Sequence, residues 1–119
     1  MQGNHLLLPL NYLDAALAAN QTHRIRLPFA VTLVGVNAAA ADATSFILDI
    51  GTAADPDAYL DGVTVTGAAA TTTLYGLADF VGDEYPHIPA NTEWLVSVDF
   101  DGGAGGDAAD VSITLILAE

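Results

Sequence analysis

Apolar and polar residues alternate with period two through most of this chain, the pattern of strands with one buried face. Val111, Ile113, Leu115 and Leu117 share one face, with Ser112, Thr114 and Ala118 on the other. Trp94–Phe100 repeats the pattern: Trp94, Val96, Val98 and Phe100 point inward, Glu93, Ser97 and Asp99 outward. Phe46, Leu48 and Ile50 alternate with Ser45 and Asp49, and Val63 and Val65 with Thr64 and Thr66. The run Ile25–Val36 is apolar on both faces and is interrupted by Pro28, which marks a bend or an edge. Shorter strands are expected at His5–Leu8 and Thr71–Tyr75.

Turn chemistry separates these runs. Asn37–Thr44 reads as an Ala/Asp loop, Gly51–Tyr59 as a loop around Pro56, and Asp61-Gly62 as a tight turn. Gly67–Ala70, the long Gly76–Asn91 connection with Pro86 and Pro89, and the Gly-rich Asp101–Asp110 segment complete the set. Tyr12–Ala19 fits either a helical turn or an extended arm. About seven or eight short strands joined this way predict an all-β, single-domain β-sandwich, jelly-roll-like or Ig-like. The expected division is an N-terminal arm over 1–20 and the sandwich over 21–119.

Charge narrows the function. The 119-residue chain has no lysine; Arg24 and Arg26 face 15 acids, for a formal net charge of −13. Two cations are too few to neutralise a phosphate backbone, and an anionic membrane surface would repel the chain, so neither nucleic acid nor membrane is an expected partner. The acids are mostly Asp. Two readings fit: a salt-adapted protein whose carboxylates repel less in strong salt, and an acidic protein from a GC-rich genome. With no cysteine, disulfides and thiolate metal sites are excluded. The N-terminal leucines lack a basic n-region and Asp14 interrupts them, so no signal peptide is expected.

Candidate chemistry is sparse. Gly102-Gly103-Ala104-Gly105-Gly106-Asp107 matches one copy of a calcium-binding repeat that works by tandem stacking. Asp99, Asp101, Asp107 and Asp110 are the candidate calcium ligands, against a solvated hairpin loop as the preferred reading. Asp55, Asp57 and Asp61 are a weaker case of the same kind. His5, His23 and His87 are scattered without ligand spacing, and Pro86 breaks helical geometry between Asp83, Glu84 and His87. Gly-x-Ser-x-Gly is absent, and no carboxylate pair stands out for hydrolysis. Trp94 is expected in the core. No cofactor and no enzymatic activity are expected.

Contact residues are more legible. Arg24 and Arg26 share a strand face, placed either to pair with the chain's own carboxylates or to anchor an acidic partner. Ile47, Leu95 and Ile116 are large aliphatics on faces otherwise polar; converging, they would form a subunit contact. Leu6, Leu7, Leu8 and Leu10 are too apolar for a free tail. They are expected to pack on the sandwich edge or on a neighbouring subunit.

Three runs carry a resemblance: Arg26-Leu27-Pro28-Phe29-Ala30-Val31-Thr32-Leu33, Phe46-Ile47-Leu48-Asp49-Ile50-Gly51-Thr52-Ala53-Ala54-Asp55-Pro56-Asp57, and Asp110-Val111-Ser112-Ile113-Thr114-Leu115-Ile116-Leu117. Over about residues 23–118 the chain resembles small β-sandwich proteins of tailed phages and their archaeal relatives: capsid decoration (cement) proteins, or head and tail accessory domains. The resemblance implies a structural protein on the capsid surface of a virion. Its partners would be the major capsid protein or another virion protein, together with further copies of itself, expected as trimers. It carries over no catalytic residue. The alternative is a carbohydrate- or receptor-binding β-module of a fibre, turret or tail, for which Tyr59, Tyr75, Tyr85 and Trp94 are the candidate aromatics.

Overall fold

The computed structural model describes residues 5–16, 20–41, 44–66, 72–101 and 108–119, with backbone alone for 11–16. Among the described residues nine strands form: β1 (His5–Ala16), β2 (Gln21–Arg26), β3 (Val31–Ala39), β4 (Ser45–Gly51), β5 (Leu60–Thr66), β6 (Thr73–Tyr75), β7 (His87–Ile88), β8 (Glu93–Asp99) and β9 (Ala109–Ala118). A five-stranded sheet runs β1-β9-β3-β6, with β7 also pairing β3; a four-stranded sheet runs β2-β8-β4-β5. All pairings are antiparallel. Apart from the β4–β5 neighbours and the short β7, each strand sends the chain to the opposite sheet. This is jelly-roll connectivity, and the all-β sandwich expected from the periodicity is what forms.

The inward sets meet as the alternation requires. Trp94, Val96 and Val98 of β8 and Phe46, Leu48 and Ile50 of β4 face Leu33 and Val36 of β3 and Ile113, Leu115 and Leu117 of β9, all essentially buried. Burying each such side chain is worth roughly 1.5–3 kcal/mol. The Trp94 indole N–H lies in this core without a hydrogen-bond partner, which costs about 1–3 kcal/mol against the gain from the ring. Pro28 marks the bend where the chain leaves β2 in one sheet and enters β3 in the other.

The segment His5–Ala16 is extended, so the helical option at Tyr12 does not form. It pairs with β9, His5 opposite Ala118 and Pro9 opposite Thr114. Leu6, Leu8 and Leu10 pack against the core, while Leu7 points out. Pro9 is tolerated because β1 is an edge strand, where a missing donor need not break a ladder.

Two expected loops are reassigned. Asp61-Gly62 is not a hairpin turn but a bulge inside β5: the register slips between Leu48 and Ile50, and Gly62 has φ +58°. A left-handed glycine suits both a tight turn and a bulge, so the dipeptide alone cannot choose. Asn37–Ala39 extends β3 rather than opening a loop, because β9 continues to pair up to Ala39 opposite Ser112. The Gly76–Asn91 connection carries two short 3-10 turns and β7. It is stitched down by hydrogen bonds from Val81 N to Tyr59 O (3.0 Å), Leu33 N to Pro86 O (2.8 Å) and Asn91 N to Leu27 O (2.8 Å).

Candidate functional site: two unlike sheet faces

Each sheet has an outer face, and the two differ in charge. On the four-stranded sheet, β2 presents Thr22, Arg24 and Arg26 outward, because Ile25 is the buried residue between them. The Arg24 guanidinium donates to the Glu93 carboxylate at 3.1 Å, with side chains 63% and 37% exposed. Arg26 donates to the backbone carbonyl of Asn91. Both arginines thus have partners within the chain, a carboxylate for Arg24 and a backbone carbonyl for Arg26.

Ile47 and Leu95 lie on this same face but do not touch across it. The register sets Ile47 opposite Asp99, Asp49 opposite Ser97, and Leu95 opposite Gly51, so a polar row separates them. Leu95 is only 6% exposed. The backbone at Asp55 and Pro56 lies over Gly51: a Cβ there would come within 2.2 Å of Asp55 O. Gly51 is therefore where the 52–58 loop folds down on the sheet beside Leu95.

The acids of this face converge. The bulged Gly62 amide donates to Asp49 Oδ1 at 2.6 Å. Asp49, Asp57 and Asp61 bring one carboxylate oxygen each within 4.8 Å of one another. Burial, then the charges of Asp57, Asp61 and Asp99, hold the Asp49 carboxyl above the ordinary aspartate range, with the Gly62 amide pulling the other way. Asp55 is pushed up first by its hydrogen bond with Asp57. Three oxygens are about half the six to eight that calcium takes. Of the calcium ligands expected from the sequence, Asp107 lies outside the described residues. Asp101 and Asp110 are exposed, and Asp110 sits at φ +48° in the irregular start of β9. Among the described residues they do not join the converging cluster.

The outer face of the five-stranded sheet is assembled in rows. His5, Ala118, Thr32 and His87 form the first, with Thr32 Oγ1 and His87 Nδ1 3.5 Å apart. Leu7, Ile116 and Gly35 form the second; Pro9, Thr114, Asn37 and Leu74 the third. None of these residues is acidic. Leu7 is 67% and Leu74 64% exposed. Ile116 is half-buried, as is Val34, the bulged residue beside Gly35. Ile116 Cδ1 and Leu74 Cδ1 lie 3.4 and 3.6 Å from where a Gly35 Cβ would sit, so the glycine lets them close over β3. Ile116 is thus on the opposite side of the sandwich from Ile47 and Leu95. Its exposed apolar neighbours are Leu7 and Leu74. Leu74 was legible: alternation with the buried Tyr75 puts it outward.

A third feature lies at the end of the sandwich where the β4–β5 and β6–β8 connections meet. Tyr59, Tyr85, Glu84 and His87 line an open cleft of about 400 Å³, together with Ala58, Val81, Gly82 and Pro86. The Tyr85 ring is set edge-on against Phe80, centroids 6.2 Å apart. Tyr75 and Trp94 are buried and take no part.

No protein-family model and no curated protein matches the chain in sequence. Among solved structures, it is similar to a chain of the cyanophage Pam1 capsid asymmetric unit, with a TM-score of 0.53 and 19% identity over 98% of this chain and 85% of that one. At that identity the likeness establishes the shared fold.

Proposed function

We propose that this protein is a non-enzymatic structural component of a virion, a decoration protein that sits on the capsid surface, associates with copies of itself, as trimers in the form the resemblance implies, and stabilises the shell. The observation that carries the reading is the whole-chain match to one chain of a capsid asymmetric unit. The two chains correspond over nearly their full lengths, so the neighbour is a unit of similar size rather than a domain of a much larger protein. Jelly rolls serve capsids and lectins alike, so the fold alone is not the argument. A protein that binds the assembled shell and not its dissociated parts stabilises it by mass action. Particles assembled without this chain should therefore rupture at lower temperature, and adding the purified protein back should restore the wild-type rupture temperature. Purified particles that contain no copy of the chain would overturn the reading.

The Tyr59–Tyr85 cleft favours a second reading, a carbohydrate- or receptor-binding module. Aromatic rings beside a carboxylate and an imidazole can stack on and hydrogen-bond a neutral sugar. Glycan-array binding abolished by Tyr85→Ala would support it; no binding to any glycan would leave the cleft without this role.

A further inference from the structure

We infer that copies of this chain meet through the outer face of the five-stranded sheet, with Leu7, Ile116 and Leu74 at the centre of the contact. The inference rests on the self-association in the proposed function and names the surface that performs it.

Charge selects this face. Each copy carries a formal −13, and the screening length is about 8–10 Å at ordinary ionic strength. Two copies approaching through the four-stranded sheet would set Asp49, Asp57, Asp61 and Asp99 against the same carboxylates of the neighbour. Like charges placed together across an interface cost several kcal/mol. The rows from His5 to His87, Leu7 to Gly35 and Pro9 to Leu74 carry no carboxylate. A second copy is the occupant this neutrality suits. A basic partner would instead be drawn to the acidic face, which leaves the two sheets with separate partners.

Apolar exposure points the same way. Leu7 and Leu74 are the two most exposed large apolar side chains of those described, and both belong to this face. Ile116 lies between their strands, and its Cδ1 and that of Leu74 both lie over Gly35. Association through the β1 edge, the other route open to a sandwich, is hindered because Pro9 removes a donor from that edge. Related by a twofold axis, two copies lay this face on its equivalent, and copies turned towards a threefold axis meet through adjoining parts of the same face.

The test is sedimentation of the full chain across protein concentration at 0.1 M and 2 M KCl. Leu7→Asp and Leu74→Asp are compared with Thr22→Asp and Thr64→Asp, exposed positions on the other sheet. The wild type and both control variants should self-associate, more tightly in high salt, while each leucine variant associates at least about tenfold more weakly. If the leucine variants associate like the wild type, the face is wrong and self-association stands. A wild type that stays monomeric under every condition overturns the face and self-association together, while shell binding is judged by the add-back experiment. Because the chain has no cysteine, a second measurement does not depend on the charged variants folding. A short bifunctional maleimide should link two copies of Leu74→Cys and not two copies of Thr64→Cys; the reverse result overturns the inference.

Discussion

The two outer faces are built by the same alternation and yet differ in kind. The four-stranded sheet carries Arg24, Glu93, Asp49 and Asp99 outward, with Asp57 and Asp61 brought against Asp49, and folds a loop over Gly51. The five-stranded sheet carries threonines, asparagine, imidazoles and an apolar row, and leaves its leucines in solvent. Each face has one half-buried isoleucine, Ile47 on the first and Ile116 on the second, but Leu95 on the first is buried by its own chain while Leu7 and Leu74 on the second are left open. A face that covers its own apolar groups needs no partner, whereas one that exposes them gains about 25 cal/mol per Å² when something covers it.

The two glycines give the sharpest contrast. Gly51→Ala would drive a Cβ to 2.2–2.6 Å from the backbone of Asp55 and Pro56, so the 52–58 loop must lift from the charged sheet. The expected loss is about 2–4 kcal/mol, read by urea denaturation. At Gly35 an alanine Cβ would meet the ends of two flexible side chains and the Tyr75 carbonyl, all at ordinary contact distance. Gly35→Ala should be neutral or stabilise by up to ~1 kcal/mol. A large loss there would show that the neutral face is as tightly built as the charged one.

Salt should separate the faces next. Screening relieves the carboxylates of the four-stranded sheet, so the melting temperature is expected to rise by about 5 °C or more between 0.1 M and 2 M KCl. An unchanged midpoint would remove the salt-adapted reading of the composition.

A smaller effect belongs to Asp49. Its folded-state pKa is raised, so the folded protein holds that proton more tightly than the unfolded chain. The contribution to stability is present at low pH and is lost as pH rises through the raised value, leaving a net cost at neutral pH. Asp49→Asn keeps an oxygen for the Gly62 amide and removes the charge. Discounted for solvent screening, it should stabilise by roughly 0.2–1 kcal/mol at low salt and pH 7, with the gain shrinking in 2 M KCl, where the repulsion is screened but the cost of burial stays, and vanishing below the titration. A loss of stability instead would mean that the carboxylate's bond to Gly62 outweighs the repulsion.

Arg24→Ala is the smallest change. The pair with Glu93 is exposed on both sides, and its removal should cost about 0–1 kcal/mol, less in high salt. A larger loss would make the arginine a structural element of the charged face.

Local pattern alone determined a good deal. Side chains alternate across a strand whatever the strand pairs with, so the inward sets of β4, β8 and β9, the burial of Trp94 and the bend at Pro28 were all readable in the sequence. Which strands become neighbours is non-local, and there the tertiary structure decided. Ile47, Leu95 and Ile116 each break a polar face, and whether they converge is not legible in the strands; jelly-roll connectivity sends β9 to the other sheet from β4 and β8, so they do not. Leu95 is buried and its register partner Gly51 has a loop folded over it, and the bulge at Asp61-Gly62 has its Gly62 amide held by Asp49 of β4. The neutral face is the clearest case. Each of its residues is unremarkable in its own strand, and the lack of acids among these rows exists only once five separate segments are laid side by side.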